Sequence, residues 1–440
     1  MLLQRTRLFS LCALLMMALT VLFTACGGSG GSTPSSSVTT VNWWSWNPGP
    51  PLSTQFVTTF NKSHPHIKLV FKNQQYDDYI NTLKLAMASG TGPDIFGSQA
   101  GAMQREYAQF MEDLTPYAQR TWGGNWQDRF YSFGLSQLAT GSTTRSLPFY
   151  LSAAGTLWYN KSIFDKYGLQ PPKTFDEWVT VSQTLQSKGV TPFVQGAKDA
   201  WVNYDMYIAL SNAIAPGKIY NAIAGKTSWT DPDLVKAMST WQQMFHNGII
   251  QKGALGLTEY PDANNQFTQG KAAMILLGTW NDSAMTKTGQ ATAQSTLGVK
   301  DQFQFLPLAF PTLNGQSTKI FGGPDVALAI NKDSKVKDAA WQVLSWLTSQ
   351  DAQVIHAKAV EQPSIKGLSI DNSDIISDTQ KSALQAQAQD LNTNVIGPRE
   401  IPYPELKTAL ADALQNVASG TQSPQQAMAA VDKASQGIQR

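Results

Sequence analysis

The first 37 residues limit the rest of the chain more than any other stretch. Arg5 and Arg7 give a positive start, and Leu8 to Phe23 then runs apolar without a charge. Ala25-Cys26 follows, and after it comes a Gly/Ser tract, Gly27 to Ser37, with one proline. A short cationic segment, an apolar stretch and a small residue before the cut describe a secretory signal peptide, residues 1–25. The apolar run is short for a membrane span of about 20 residues. The Gly/Ser tract has nothing apolar to bury, so residues 26–37 read as a flexible tether. The fold is expected to begin at Val38, outside the cytoplasm.

Removing residues 1–25 leaves 440 − 25 = 415 residues. Two domains of roughly 100–250 residues each are the expectation for that length. The removed stretch carries two basic and no acidic residues, so 33 − 2 = 31 basic residues face 31 acidic ones in the remainder. That balance argues against nucleic acid or a polyanionic surface as partner. Cys12 leaves with the signal, and Cys26 is then the one remaining thiol. A disulfide, a Cys-based metal site and a cysteine nucleophile are excluded from the folded part. His64, His66, His246 and His356 are too few and too scattered for a metal cluster, and no cofactor is expected. The surplus residue is Trp, with 13 in the chain, all after the signal. Large apolar ring faces suit a neutral, ring-shaped ligand better than an anion.

The periodicities alternate between strand and helix. Val41 to Trp46 reads as a strand entering the loop Asn47–Pro51. A helix follows with Phe56, Val57 and Phe60 on one face, and His66 to Phe71 is a second strand. Tyr76, Ile80, Leu83 and Met87 are spaced as one face of a helix that Gly92-Pro93 ends, and Asp94–Phe96 is a third strand. This order predicts an open, mostly parallel α/β sheet. Further on, Gly155 to Asn160 is a strand, and Thr174 to Glu177 is a capping box that starts a helix lasting to Lys188. A helix begins at Asp231-Pro232, with Leu234, Met238, Trp241 and Phe245 as a core stripe. Ala272–Leu277, Phe303–Leu308 and Val326–Ile330 are strands, and the remainder is helical.

These features stand in an order that resembles the family 1 extracellular solute-binding proteins, the sugar-receptor lipoproteins of ABC importers to which maltose-binding protein is related. The resemblance is carried by Gly92-Pro93-Asp94-Ile95, Leu114-Thr115-Pro116, Leu157-Trp158-Tyr159-Asn160-Lys161 and Pro171 to Trp178. It continues through Gly270-Lys271-Ala272-Ala273-Met274, Gly278-Thr279-Trp280, Gly322-Gly323 and Val417-Ala418-Ser419-Gly420. Ala25-Cys26 resembles the lipobox of bacterial lipoproteins, with Phe23 where that motif has Leu, Val or Ile, and implies lipidation of Cys26. The resemblance implies a periplasmic-binding-protein-like α/β fold: two α/β lobes joined by crossing strands, with a ligand cleft between them. It places 38–147 plus 280–330 in the N-terminal lobe and 148–279 plus 331–440 in the C-terminal lobe. For the cleft it implies Trp44, Trp46 and Asn47 at the end of the first strand, and Ser98 and Gln99 after the third. Tyr150 comes from a crossing strand, Trp201, Asn203 and Tyr204 from the other lobe, and Trp280 from the second crossing. Gly323, Asp325 and Arg399 complete the set, with Asp325 as an acceptor for sugar hydroxyls.

The expected function is a lipid-anchored receptor that binds a sugar or oligosaccharide by cleft closure and delivers it to an ABC permease. It is expected to be monomeric, attached to the outer face of the membrane through the lipid alone, and without catalysis. A secreted glycoside hydrolase would need two carboxylates about 5–10 Å apart, and the acidic residues are distributed mostly at helix starts. Phosphate would want helix N-termini with arginine, and iron would want clustered tyrosines and histidine. A polyamine receptor, which needs several cleft carboxylates beside the aromatics, stays open, as does a chemosensory sugar-binding lipoprotein.

Overall fold

A computed structural model describes residues 38–140, 143–316 and 318–440. The signal peptide, Cys26 and the tether lie outside the described residues. Eleven strands are described: β1 (Thr39–Ser45), β2 (Ile67–Asn73), β3 (Ile95–Ser98), β4 (Ala139–Thr140), β5 (Thr143–Thr144), β6 (Leu147–Ala154), β7 (Thr156–Asn160), β8 (Met274–Leu277), β9 (Phe305–Leu308), β10 (Phe321–Ile330) and β11 (Gln362–Pro363). They form a six-stranded sheet in the order β11-β6-β10-β3-β1-β2, a three-stranded sheet β8-β7-β9 and the small β4-β5 hairpin.

The six-stranded sheet starts from period-two alternation. Val41, Trp43 and Ser45 point to one face of β1 and are buried, and Asn42 and Trp44 point to the other. Trp43 is wholly buried against Phe71, at 4.2 Å between ring centroids, and Phe149, at 5.5 Å and edge-on. Removing a ring of that size from water contributes about 4–6 kcal/mol. The helix Leu52–Ser63 adds Phe56 and Phe60 to this core, and the helices Lys337–Leu347 and Gln350–Lys358 add Trp341, Trp346 and Ile355. The three-stranded sheet carries a separate core containing Trp178, Trp229 and Trp241. In the helix Pro232–His246, Leu234, Met238 and Trp241 are wholly buried and Phe245 packs partly buried beside Trp241, so the stripe is core.

Two expectations are corrected. The first sheet is mixed: β1 pairs in parallel with β2 and β3, whereas β10 runs antiparallel to β3 and β6, and β11 antiparallel to β6. β6 leaves this sheet for the second and β10 returns from it, so each lies in the direction its crossing dictates. The chain is also shared out differently from the expected division. β6 belongs wholly to the six-stranded sheet, and the crossing falls at Gly155. There φ is +66°, and a Cβ would stand 2.5 Å from the Phe321 ring, so the turn takes glycine. β9, expected with the first lobe, pairs with β7, and the helices at 337–358, expected with the second, bury their Trp and Leu faces in the first core.

Candidate functional site

The site is built outward from Asp325. β10 shifts register against β6 between Pro324 and Val326, so Asp325 stands at an irregularity in the ladder beside a residue without an N–H. Its buried carboxylate accepts a very short hydrogen bond from the Tyr150 hydroxyl in β6. That hydroxyl accepts from Asn47 Nδ2 at 2.5 Å, which ties the loop after β1 to the crossing. The other Asp325 oxygen accepts from Arg399 Nη1 at 2.8 Å.

Arg399 is held from the second lobe as well. Its Nε and Nη2 donate to the two oxygens of Asp205 at 3.1 and 3.0 Å, a fork-to-fork pair. Asp205 lies on the helix Ala200–Ile214 one turn beyond Trp201, so the two share a face. The guanidinium sits 5.5 Å from the Trp201 ring centroid and 4.6 Å from that of Trp280. Tyr260 completes an aromatic group: it stacks on Trp201 at 6.0 Å and 13°, and its hydroxyl accepts from Trp280 Nε1 at 3.0 Å. On the first-lobe side, Trp46 meets Tyr76 edge-on at 5.3 Å, and the Tyr76 hydroxyl donates to Gln99 Oε1 at 2.6 Å.

The charged groups are interlocked, with Asp205, Asp325 and Glu400 facing Arg399 and Lys407. Burial works against the Arg399 cation, but Asp205, Asp325 and Glu400 together hold its pKa above the ordinary value. Burial, opposed by Arg399, pushes the Asp205 carboxyl up to about 6 and raises that of Asp325. Beside them the partly buried Glu400 is held below its usual range by Lys407, 2.7 Å away, and by Arg399. Among the described residues, no three His, Cys, Asp or Glu side chains stand together in a way that would hold a metal ion.

Of the residues expected in the cleft, the structure thus links Asn47, Tyr150, Trp201, Trp280, Asp325 and Arg399 in one network, with Trp46 and Gln99 joined through Tyr76. The others have different engagements. Trp44 lies under Lys72, 4.3 Å from its ring centroid, and packs beside the Tyr79–Leu83–Met87 cluster. The buried Ser98 hydroxyl donates to Gln104, and Asn203 is bonded to Gln195 and to the Ala197 carbonyl. Tyr204 donates to the Lys407 carbonyl, and Gly323 is pressed against Gln137. Asp205, Tyr260 and Tyr76 were not expected. The signal for Asp205 was its spacing of four from Trp201; Tyr260 has no local signal. A separate cavity of about 260 Å³ opens beside the crossing, between Ala154, Phe310, Phe321 and Gln387, and no side chain of the network lines it.

A family model described as bacterial extracellular solute-binding protein matches residues 45–354. An uncharacterised ABC transporter extracellular-binding protein of Pyrococcus horikoshii is 27% identical over 291 residues, 62% of this chain and 65% of its own length. The galactooligosaccharide-binding protein of Bacillus subtilis is 23% identical over 97% of this chain and 95% of its own. Among solved structures, a protein of xylan utilization by the thermophile Caldanaerobius polysaccharolyticus superposes with a TM-score of 0.76 at 25% identity, over 90% of this chain and 99% of the other. A chitin oligosaccharide binding protein gives 0.73 at 22% identity, over 91% and 98%. These relatives and this fold are those of solute-binding receptors and not of enzymes. The match across most of the chain and the two-lobed α/β architecture agree: the chain belongs to the bacterial extracellular solute-binding protein family.

Proposed function

We propose that this protein is a sugar or oligosaccharide receptor, lipid-anchored through Cys26 on the outer face of the cell membrane, that loads by cleft closure and delivers its ligand to an ABC import permease. The observation that carries the ligand class is the partnership of Asp205, Arg399 and Asp325 beside the Trp201–Tyr260–Trp280 group. The aromatics suit the apolar face of a sugar ring. Asn47, Tyr150, Gln99 and Arg399 supply donors and acceptors of fixed geometry, and a buried polar group left unpaired costs about 1–3 kcal/mol. A polyamine would need free carboxylates, and those of Asp205 and Asp325 are already engaged by Arg399, with Tyr150 on the second Asp325 oxygen. Relatives named for galactooligosaccharide, melibiose, raffinose and stachyose, and chitin oligosaccharide favour the same class. Among the described residues no helix is long and apolar enough to cross a membrane.

Thermal unfolding against a panel of mono- and oligosaccharides, spermidine and phosphate tests the reading. A ligand at a hundred times its dissociation constant adds about 2.7 kcal/mol to the folded state. A rise in melting temperature with neutral sugars is expected. A rise with spermidine alone, or none with any sugar, would overturn it.

A further inference from the structure

Residues 399–403 belong to the second lobe, since Ile401 and Tyr403 are buried in its core. The same five residues nevertheless touch the first lobe at four places. Arg399 reaches Asp325 in β10. The Ile401 carbonyl accepts the Ala102 N–H at 3.1 Å. The Tyr403 ring lies under the exposed Arg105 guanidinium, 4.7 Å from its centroid. Between these contacts Gly101 packs on Glu400: its φ is +80°, and a Cβ there would stand 2.8 Å from the Glu400 Cβ. From behind, the segment is braced on its own lobe. Asp205 grips one edge of the Arg399 guanidinium through Nε and Nη2, and Lys407 holds Glu400.

We propose that residues 399–403 form a latch that holds the two lobes together, with Asp205 as its positioning residue, so that ligand affinity depends on contacts outside the ligand site, such as Tyr403 with Arg105. The proposal rests on the cleft-closing reading above. Parting the lobes breaks the contacts to Ala102, Arg105 and Asp325, and the latch therefore raises the fraction of protein in the closed form. A ligand that needs the closed form has its apparent affinity scaled by that fraction. Asp205 acts on closure through Arg399, so losing both residues adds nothing to losing Arg399 alone.

The test compares wild type with Arg105→Ala, Asp205→Asn, Arg399→Gln and the Asp205→Asn/Arg399→Gln double variant. X-ray scattering reads the radius of gyration without ligand, and titration reads affinity for the oligosaccharide that stabilises wild type. Arg105 is exposed and outside the candidate site, so its variant keeps its fold, which circular dichroism checks. The ligand-free radius is expected to rise in every variant. Affinity falls about two- to fivefold in Arg105→Ala, the range of an exposed cation–ring contact. The double variant binds no more weakly than Arg399→Gln. Unchanged radius and affinity in Arg105→Ala would overturn the latch, and additive losses in the double variant would remove Asp205 from it. Absence of sugar binding by wild type would defeat the functional reading instead, and the ligand-free radii would still decide the latch.

Discussion

Asp325 shows how much a single side chain can organise. Its two oxygens join a tyrosine of one crossing strand to an arginine that is itself fixed by the opposite lobe. Asp325→Ala leaves the Arg399 Nη1 and the Tyr150 hydroxyl without their acceptor in a buried place, and a loss of about 3–5 kcal/mol in denaturant unfolding is predicted. Trp280 is different: it is partly exposed, lies at the margin of the second-lobe cores, and its ring meets Arg399 and Tyr260. Trp280→Ala is predicted to weaken ligand binding about tenfold or more while leaving cooperative unfolding intact. Equal affinity in the variant would move this ring from the site to the scaffold. Glu259, adjacent to Tyr260, supplies a pH signature. It is wholly buried, one oxygen accepts the Gly196 N–H at 2.7 Å, and burial pushes its pKa from 4.5 up to about 8. Between those values the folded state keeps a proton that the unfolded state releases. Stability therefore falls as pH rises through that window and levels off above it. Asp205, raised from 3.8 to about 6, adds to the fall in its own lower window. Glu259→Gln is predicted to flatten the decline between about pH 6.5 and 8.5, read as melting temperature against pH.

At the level of elements, local chemistry was legible wherever it acts locally. Thr174 caps the helix Phe175–Ser187, its hydroxyl accepting the Glu177 N–H at 3.2 Å, and Thr174→Ala is predicted to cost about 1 kcal/mol. The return bond from Glu177 goes to the Lys173 N–H at 2.7 Å, one residue earlier than a capping box places it. A second box, Ser423 with Gln426, is complete. The helix Ala200–Ile214 was not legible. Val202 to Ile214 are all buried, so no apolar stripe alternates with a polar face and the 3.6 period disappears. That is why Trp201 could be placed near the cleft while Asp205, on the same face, went unnoticed. In the Tyr76–Ala88 helix the buried face runs through Tyr79, Leu83, Ala86 and Met87, a rotation that releases Tyr76 toward Trp46 and Gln99. Strand direction was also beyond reach, since β10 is antiparallel because of where the chain has been, not because of its own residues.

For the whole molecule, the order of motifs in the sequence pointed to two lobes and a crossing, and the detail of which segment joins which lobe emerged only from strand pairing and burial. Trp341 and Trp346 could have packed on either sheet; Tyr117 and Trp122 decide it for Trp341, and Phe56 and Phe60 for Trp346. The export reading has its own check: Cys26→Ala is expected to move the protein from the membrane fraction into the medium or periplasmic fluid, and retention in the membrane would contradict lipid anchoring. A neutral sugar is the expected cargo because Arg399 and Tyr150 already occupy the carboxylate oxygens of Asp205 and Asp325. Calorimetric titration of the wild-type protein with neutral oligosaccharides, and separately with spermidine, tests it most directly. The account predicts saturable one-to-one binding of a sugar with a negative heat-capacity change, and no binding of the polyamine. Saturable heat with spermidine and none with any sugar would contradict it.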